Sequence, residues 1–272
     1  MTVKTKENKV EIHLISDSTG ETVSRALEAV ISQFPQVNKK VYQWNLVKYN
    51  KEIENILKNV KEQKSIVIFT LLNNNLRNKL EEGCISQKIP FISLLDPLFK
   101  IFNDLLSINP TKNTGGQHKL DKEYFSRIDA LDYTMRHDDG QNILSMKEAD
   151  IILVGVSRTS KTPTSIYLAN KGYKVGNLPI VLNTIIPKEF FEIKGPLIIG
   201  LLNDPKNLLQ IRQSRLKSMG ETTSTNYSDL DKIKIEILES RRLFLNKKWP
   251  TIDVSKRSVE ETATEVIQIL RK

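Results

Sequence analysis

The chain has 272 residues, of which 39% are hydrophobic and 27% charged, so it can bury the core of one large or two small domains. Its net charge of +9 suits an anionic ligand, but its lysines form no cluster interleaved with aromatic residues, so nucleic-acid binding is not expected. The single cysteine, Cys84, excludes an internal disulfide, and the absence of a signal peptide and of an apolar run of about 18 residues predicts a cytoplasmic protein without a membrane span.

Short apolar runs alternate with amphipathic segments through the first part of the chain. The apolar runs predict strands, and apolar residues at helical spacing predict helices. Strands that alternate with helices are typical of a mostly parallel sheet with helices on its faces. The predicted strands cover 10–15, 41–46, 65–71 and 90–94, and the predicted helices end near Phe34 or cover 51–62, 76–82 and 96–106.

A break in this pattern at 109–118, which contains Pro110, Gly115 and Gly116, predicts a domain boundary. We therefore expect an N-terminal α/β domain over 1–108 and a second domain over 109–272. The second domain is predicted to contain a helix ending near Met135, strands that start at 151 or cover 175–182 and 196–202, and helices at 208–219, 230–246 and 258–270.

The segment 151–162 carries the strongest chemical signal in the sequence. It reads I-I-L-V-G-V-S-R-T-S-K-T, a predicted buried strand followed by a small and basic loop, and an amphipathic segment follows at 163–170. In such a unit, backbone N–H groups and a helix N-terminus face a phosphate, a lysine adds charge, and a hydroxyl can bind Mg²⁺. The pattern departs from G-x-x-x-x-G-K-[ST] at Ser160, where the second glycine would stand. Serine is expected there only if the turn is less strained than the usual one, because glycine tolerates strained backbone conformations and serine does not.

The sequence therefore predicts a P-loop-like nucleotide-binding unit in the C-terminal half, within an α/β fold of mostly parallel sheets flanked by helices and followed by a helical tail. The alternative is an ordinary strand-to-helix connection. Lys161, as a loop residue, is expected to face solvent. Together with Arg158 it supplies the positive charge that would face a polyphosphate. The predicted nucleotide contacts are Gly155, Val156, Ser157, Arg158, Thr159, Ser160, Lys161 and Thr162, with Thr162 also a metal ligand.

Three other polar segments could carry chemistry. The turn His137–Gly140 offers Asp138 and Asp139 as a proton acceptor or as ligands of Mg²⁺, although an Asp-Asp-Gly turn also forms for conformational reasons. His118 is a potential acid, base or phosphate contact, or simply a polar surface residue. Asp204 follows an apolar run and imitates a Walker-B acid only weakly, because Asp before Pro is an ordinary turn.

Ser18 and Thr19 lie at another predicted strand-to-helix junction, within S-D-S-T-G. They could hold a phosphate, but small polar residues are also favoured at the N-terminus of any helix. Both interpretations predict the same residue types.

Together these segments resemble the pyruvate, phosphate dikinase regulatory proteins, which are related to the phosphoenolpyruvate synthase regulatory proteins. The resemblance extends over nearly the whole chain, and S-R-T-S-K-T resembles the dikinase-regulating branch, whereas the other branch more often has S-R-C-G-K-T. The matching segments are S-D-S-T-G-E-T at 16–22, residues 70–80, G-Q-H-K-L-D at 116–121, Y-F-S-R-I-D at 124–129, H-D-D-G at 137–140, the block at 149–169, residues 200–212, and R-S-V-E-E-T-A at 257–263.

The resemblance implies a bifunctional enzyme. One activity is that of a Ser/Thr kinase that uses ADP as donor and inactivates pyruvate, phosphate dikinase by phosphorylating a threonine. The other is that of a phosphorylase, in which inorganic phosphate removes the phosphoryl group as pyrophosphate and restores activity. The dikinase is thus the expected protein partner, Mg²⁺ the expected metal, and a homodimer is compatible with the family.

The resemblance also implies roles for the residues. Lys161 would neutralise the transferred group, Thr162 would help to bind Mg²⁺, and Arg158 would stabilise the transition state. Asp138 or Asp139 would accept the threonine proton or organise the metal. Ser18, Thr19 and His118 are the options for inorganic phosphate.

Three alternatives remain open at this stage. The same activities could act on phosphoenolpyruvate synthase, the loop could belong to a small-molecule kinase that uses ATP, or the protein could be a non-catalytic nucleotide-binding regulator.

Overall fold

The computed structural model describes residues 9–60, 64–111, 113–116, 121–181, 184–220 and 226–272. The chain divides into two compact units, Met1–Lys119 and Leu120–Lys272, so the division falls just after the segment 109–118, where the sequence predicts a domain boundary. The exact domain boundary placed at 108 and 109 stays a prediction.

The first unit is built on a parallel sheet of four strands. The strands are β1 (Lys9–Ser16), β2 (Asn38–Trp44), β3 (Ser65–Thr70) and β4 (Phe91–Ser93), and the helices are α1 (Glu21–Ile31), α2 (Asn50–Asn59), α3 (Asn74–Ser86) and α4 (Asp96–Leu106). The strand order in the sheet is β2-β1-β3-β4. Apolar side chains alternate along the central strand β1, so that Ile12 and Leu14 pack against helix α1 while Ile15 joins the core on the opposite face.

The second unit has a parallel sheet of the same kind, in the order β6-β5-β7-β8. Its strands are β5 (Ile151–Val156), β6 (Val175–Ile180), β7 (Leu197–Leu202) and β8 (Thr251–Asp253). Its helices are α5 (Lys122–Arg136), α6 (Lys161–Ala169), α7 (Lys188–Phe191), α8 (Pro205–Ser218), α9 (Leu230–Lys247) and α10 (Val259–Leu270), with short 3-10 segments at Asp138–Gly140, Ile143–Glu148 and Asn226–Ser228.

Strand β5 forms the centre of this second unit, and all six of its residues are buried. Ile152 and Val154 face a core that includes Phe244 of α9, while Ile151 and Leu153 face a core that includes Leu168 of α6. A strand covered on both faces needs a continuous apolar sequence, and this is why the sequence alone predicts a buried strand here.

The predicted fold class is confirmed, because both four-stranded sheets are wholly parallel, helices flank them, and the C-terminal part is mainly helical. Several details differ from the predictions, among them strand β2, which covers 38–44 instead of 41–46, and the short helix α7, which was not predicted. Helix α6 begins at Lys161 instead of 163, and the three-residue strand β8, in which only Ile252 is buried, was not predicted. Among the described helices, none combines the length and the apolar character needed to cross a bilayer.

The strand order places one functionally favoured position in each sheet. From β1 the chain crosses to β2 on one side and then returns to β3 on the other, and the same reversal occurs at β5, β6 and β7. In open parallel sheets, ligands bind beyond the carboxyl ends of the two strands where the direction reverses. The loops after β1 and β5 lie at these positions.

Candidate phosphate-binding site

The loop after β5 is a tight turn of residues 157–160 that leads directly into α6. Arg158 and Ser160 both have left-handed backbones, with φ of 70° and 59°. The expectation that Ser160 needs a less strained turn is therefore wrong. Ser160 adopts the left-handed conformation that glycine usually occupies, and this conformation costs a residue other than glycine about 1–2 kcal/mol. The backbone here thus turns as it would with glycine.

Gly155 is required by close packing. A Cβ atom at this position would lie 2.7 Å from the carbonyl oxygen of Leu201 and 2.8 Å from Oγ1 of Thr159. Thr159 is itself fully buried and donates a hydrogen bond from Oγ1 to the carbonyl of Val156, at 2.9 Å. The first glycine of the motif therefore allows β5, β7 and the returning loop to pack together.

Lys161 is buried, with 5% of its surface exposed, so the prediction that it faces solvent is wrong. It is the first residue of α6, and its Nζ donates to the carbonyl oxygen of Val156 at 3.0 Å. Burial lowers the pKa of its ammonium group to about 8, although the carboxylates of Asp139 and Asp138 oppose this shift. The helix therefore holds a cation against the loop, in a setting that favours added negative charge.

The Asp-Asp-Gly turn lies beside the start of α6. Oδ1 of Asp138 accepts hydrogen bonds from Oγ1 of Thr162, at 2.9 Å, and from the amide nitrogen Nδ2 of Asn177. The backbone N–H of Asp139 donates to Oδ1 of the same Asn177 at 3.0 Å. Asp138 thus connects the turn to the helix, whereas the Asp139 side chain is exposed.

His137 anchors this turn. It is buried, its ring stacks on Tyr133 with centroids 3.8 Å apart, and its backbone carbonyl accepts from the N–H of Asn177 at 3.1 Å. Both ring nitrogens have partners, with Nδ1 2.7 Å from the carbonyl of Tyr133 and Nε2 2.6 Å from Oγ of Ser145. A histidine engaged in this way serves to fix the position of the two aspartates.

These elements enclose a cavity of about 280 Å³ at the carboxyl end of β5. Its charged lining consists of Arg158, Lys161 and Asp139, so two cations and one carboxylate face a common space. The remaining lining residues are Ser157, Ser160, Thr162, Pro163, Pro179 and Ile211. A small space with this charge and with loop N–H groups at a helix N-terminus suits a phosphate group beside a proton acceptor.

The described residues include no group of three His, Cys, Asp or Glu side chains that could hold a metal by themselves. The hydroxyl of Thr162 and the carboxylate of Asp138 nevertheless provide adjacent oxygen atoms, 2.9 Å apart. Mg²⁺ commonly takes only one or two protein oxygens and completes its shell with substrate phosphates and water. The oxygen pair therefore fits Mg²⁺ in the presence of a nucleotide.

Sequence reasoning missed three residues that shape this site: Asn177, Arg212 and Tyr227. Asn177 is a fully buried amide within the apolar strand β6, and that mismatch was the one available signal. Tyr227 reaches the loop through its hydroxyl, which lies 3.0 Å from Nε of Arg158 and 3.3 Å from Oγ of Ser157. Nothing in the surrounding sequence marks that contact.

The remaining predicted residues lie elsewhere. Ser18 and Thr19 line a cavity of about 380 Å³ in the first unit, together with the carboxylates of Asp17 and Glu21. The described residues that line it include no lysine, arginine or histidine. His118 lies outside the described residues.

Asp204, the weak Walker-B candidate, caps helix α8. Its Oδ1 accepts from the backbone N–H groups of Lys206, at 2.9 Å, and Asn207, at 3.1 Å. These are the contacts of an ordinary helix N-cap, so the conformational interpretation is sufficient for this residue.

Comparison with known proteins identifies the family. The sequence model of the family described as Kinase/pyrophosphorylase matches residues 12–267. A protein of Rhizorhabdus wittichii named "Putative pyruvate, phosphate dikinase regulatory protein" is 42% identical over 97% of this chain and 96% of its own length. Proteins with the same name from Maricaulis maris and Caulobacter vibrioides are 42% and 43% identical, over 95% of this chain and 92% and 82% of their own lengths. The predicted resemblance is thereby confirmed, and the chain belongs to the kinase/pyrophosphorylase family.

Proposed function

We propose that this protein is a bifunctional phosphotransferase that regulates pyruvate, phosphate dikinase. In one direction it transfers the β-phosphoryl group of ADP to a threonine of the dikinase, and in the other it removes that group with inorganic phosphate and releases pyrophosphate. The observation that carries the proposal is the meeting of Lys161, Arg158 and Asp139 on one cavity. The family description and the names of the relatives support the reaction class and the partner.

The loop 155–162 would bind the diphosphate of ADP. Its backbone N–H groups and the N-terminus of α6 supply donors and a positive dipole end, and Lys161 supplies a charge already held in place by Val156. Arg158 adds a planar donor group that can follow negative charge on the transferred oxygens. Mg²⁺ bound at Thr162 and Asp138 would neutralise further phosphate charge.

In the kinase direction, the hydroxyl oxygen of the target threonine attacks the β-phosphorus of ADP. The bond from that phosphorus to the oxygen bridging to the α-phosphorus breaks, and AMP leaves. The threonine proton passes to a carboxylate, for which Asp139 is the better choice. Asp139 is exposed and lines the cavity, whereas Asp138 already accepts from Thr162 and Asn177.

In the phosphorylase direction, an oxygen of inorganic phosphate attacks the phosphorus of phosphothreonine. The phosphorus–oxygen bond to threonine breaks, Asp139 passes the proton of the attacking phosphate to the threonine oxygen, and pyrophosphate leaves. Both directions place negative charge beside the same two cations, so one site serves for ADP and for inorganic phosphate. The Ser18–Thr19 cavity stays the alternative for phosphate, but its carboxylates oppose an anion.

The decisive experiment follows the phosphoryl group from donor to product. Purified protein is incubated with the dikinase and ADP labelled in the β-phosphate, and we expect label on a dikinase threonine with one AMP formed per group transferred. ATP labelled in the γ-phosphate is the matched donor and should give no transfer. Transfer from ATP with ADP as product would identify an ordinary kinase instead, and nucleotide binding without transfer would favour a non-catalytic regulator.

The reverse reaction uses the phosphorylated dikinase from the first assay. Addition of inorganic phosphate should release the label as pyrophosphate, whereas release as free phosphate would point to a hydrolytic phosphatase. Phosphoenolpyruvate synthase serves as the competing protein substrate in both assays. Faster labelling of the synthase than of the dikinase would reassign the partner.

A further inference from the structure

Arg212 of α8 is the largest fully buried side chain among the described residues, with 1% of its surface exposed. Its Nη2 donates to the carboxylate of Glu236 on α9, at 2.6 Å, and to the backbone carbonyl of Ser157 in the phosphate loop, at 3.3 Å. Its Nη1 donates to the backbone carbonyl of Tyr227, at 3.1 Å. One guanidinium therefore fixes two separate chain segments, and Glu236 compensates its charge.

Tyr227 completes the connection from this ion pair to the loop. The guanidinium of Arg212 lies over its ring, 4.7 Å from the centroid. The hydroxyl of Tyr227 contacts the two loop side chains, accepting from Nε of Arg158 at 3.0 Å and lying 3.3 Å from Oγ of Ser157. The loop is thus held at its backbone by Arg212 and at its side chains by Tyr227.

A buried ion pair is poor evidence of stability, because removing the two charges from water costs about as much free energy as their attraction to each other returns. The geometry here points to a role in placement. We propose that Arg212, Glu236 and Tyr227 are positioning residues that orient Arg158 towards the transferred phosphoryl group before substrate binds. This inference rests on the proposed phosphotransferase function of the loop.

The physical advantage is pre-organisation. A free arginine loses much rotamer freedom when it is fixed against a ligand, and Tyr227 removes part of that loss beforehand. The contact uses only the Nε donor, and a guanidinium carries four further N–H donors on its terminal nitrogens. An oxyanion can take these donors while Tyr227 keeps its bond.

The test is a double-mutant cycle between Tyr227→Phe and Arg158→Ala. Tyr227→Phe removes only the hydroxyl and keeps the ring against Arg212. We expect it to lower kcat for transfer from ADP about tenfold, the effect of one lost hydrogen bond to a charged group, with KM changed by less than about twofold. In the Arg158→Ala background the same change should cost less than about twofold, because the group it orients is absent. Tyr173→Phe, a tyrosine packed against the apolar core beside α6, is the matched control and should leave kcat unchanged.

The ion pair is tested from its carboxylate, because removing Arg212 could unfold the protein. Glu236→Gln keeps an acceptor for Arg212 but removes the charge, and it should lower kcat several-fold while Glu239→Gln, on the exposed side of α9, should not. Addition of the Arg158→Ala change should again remove most of the effect. A loss that is the same with and without Arg158 would overturn the proposed role of Glu236.

A readout independent of activity separates this inference from the proposed function. Hydrogen exchange of the amides at 157–160 should become about tenfold faster in Tyr227→Phe, with other peptides of the second unit unchanged. If the wild-type protein transfers nothing from ADP, the proposed function fails and loop exchange alone decides the positioning role. Equal kcat losses in both backgrounds, or unchanged exchange in the loop, would overturn the inference.

Discussion

The two units of this protein have the same strand order and the same connection after their first strand, yet they present opposite charges there. In each unit a four-residue turn, 17–20 or 157–160, ends in a left-handed residue immediately before a helix. That residue is Gly20 in the first unit, with φ of 76°, and Ser160 in the second, with φ of 59°. The left-handed residue before the helix is therefore common to both turns, whereas Arg158 is left-handed as well and its counterpart Ser18 is not.

The side chains differ at equivalent positions of the two turns. Glu21 begins α1 where Lys161 begins α6, and Ser18 stands where the second unit has Arg158. Asp17, the first residue of its turn, accepts from the backbone N–H groups of Leu72, at 2.7 Å, and Asn73, at 3.3 Å, so it ties two loops together. A turn at the reversal point of a parallel sheet is thus a general framework, and its charges decide whether it suits phosphate.

The largest expected effect comes from removing the cation that distinguishes the two turns. Lys161→Ala should lower the rate of transfer from ADP by at least about a hundredfold, because charge stabilisation of the transferred group is lost. Glu21 occupies the equivalent position in the first unit and is exposed, so Glu21→Ala should change the rate by less than about twofold. Steady-state transfer assays on both variants measure the contrast.

Because Lys161 is buried, the folding of the alanine variant must be measured as well. Its thermal midpoint and circular dichroism should remain those of a folded protein. A folded Lys161→Ala protein with near-normal transfer would remove the loop from the mechanism, and an equal loss in Glu21→Ala would show that the two turns act together.

The next effect concerns the carboxylate beside the cations. Asp139→Asn should lower kinase rate roughly a hundredfold, the scale of losing a positioned proton acceptor. Asn tolerates the left-handed backbone of Asp139, with φ of 49°, so the free energy of unfolding should change by less than about 1 kcal/mol. Transfer rates and thermal midpoints together separate chemistry from stability.

Asp17→Asn and Asp138→Asn are the comparisons for this prediction. Asp17→Asn should destabilise the protein by about 1–3 kcal/mol through weakened loop contacts, with little change in kcat. Asp138→Asn should act through the position of Thr162 and through weaker binding of Mg²⁺, an effect that saturating Mg²⁺ should reduce. If Asp139→Asn keeps full activity and Asp138→Asn loses it, the base is Asp138 instead.

The third effect is a pH dependence that only the second unit should produce. The pKa of Lys161 is about 8 in the free protein, so its charged form is lost as pH rises through this value. At low ADP concentration, the rate of transfer should fall by about tenfold for each pH unit well above 8. Saturating ADP should shift this decrease to higher pH, because bound phosphate raises the pKa of Lys161. Lys161→Arg, which stays charged, should not show the decrease.

The lowered pKa of Lys161 also predicts a pH dependence of protein stability, with a sign opposite to that of the transfer rate. Its pKa is lowered from an ordinary value of 10.5 to about 8, so between these values the unfolded chain binds more protons. The contribution of Lys161 to the free energy of unfolding should therefore rise with pH across this window. Denaturant titrations of the wild type and Lys161→Ala at pH 8 and pH 10 would measure the difference, and parallel pH dependences would contradict it.

The sequence predicted those features that depend on local patterns. Continuous apolar runs identified β5 and its neighbours, and the loop sequence predicted that Lys161 and Arg158 face a common ligand, which agrees with the cavity that both line. It could not predict that Asn177 joins Asp138 and Asp139, because that meeting depends on where β6 pairs with β5, at Leu153↔Asn177. The contact of Tyr227 with the loop spans about seventy residues and follows from the packing of α8 and α9, which no local spacing encodes.

The smallest expected effect comes from exchanging the left-handed residues of the two turns. Ser160→Gly removes the Cβ penalty of the left-handed backbone but adds freedom to the unfolded chain, so the free energy of unfolding should change by less than about 1 kcal/mol. Gly20→Ser introduces that penalty, and its Cβ would lie 2.1 Å from Oδ1 of Asn45, which must move. We therefore expect Gly20→Ser to lose about 1–2 kcal/mol, measured by denaturant unfolding. The exchange should leave transfer from ADP within about twofold in both variants, because neither change alters a charge. A large loss of transfer in Ser160→Gly would show that the hydroxyl, and not the shared backbone turn, contributes to phosphate binding.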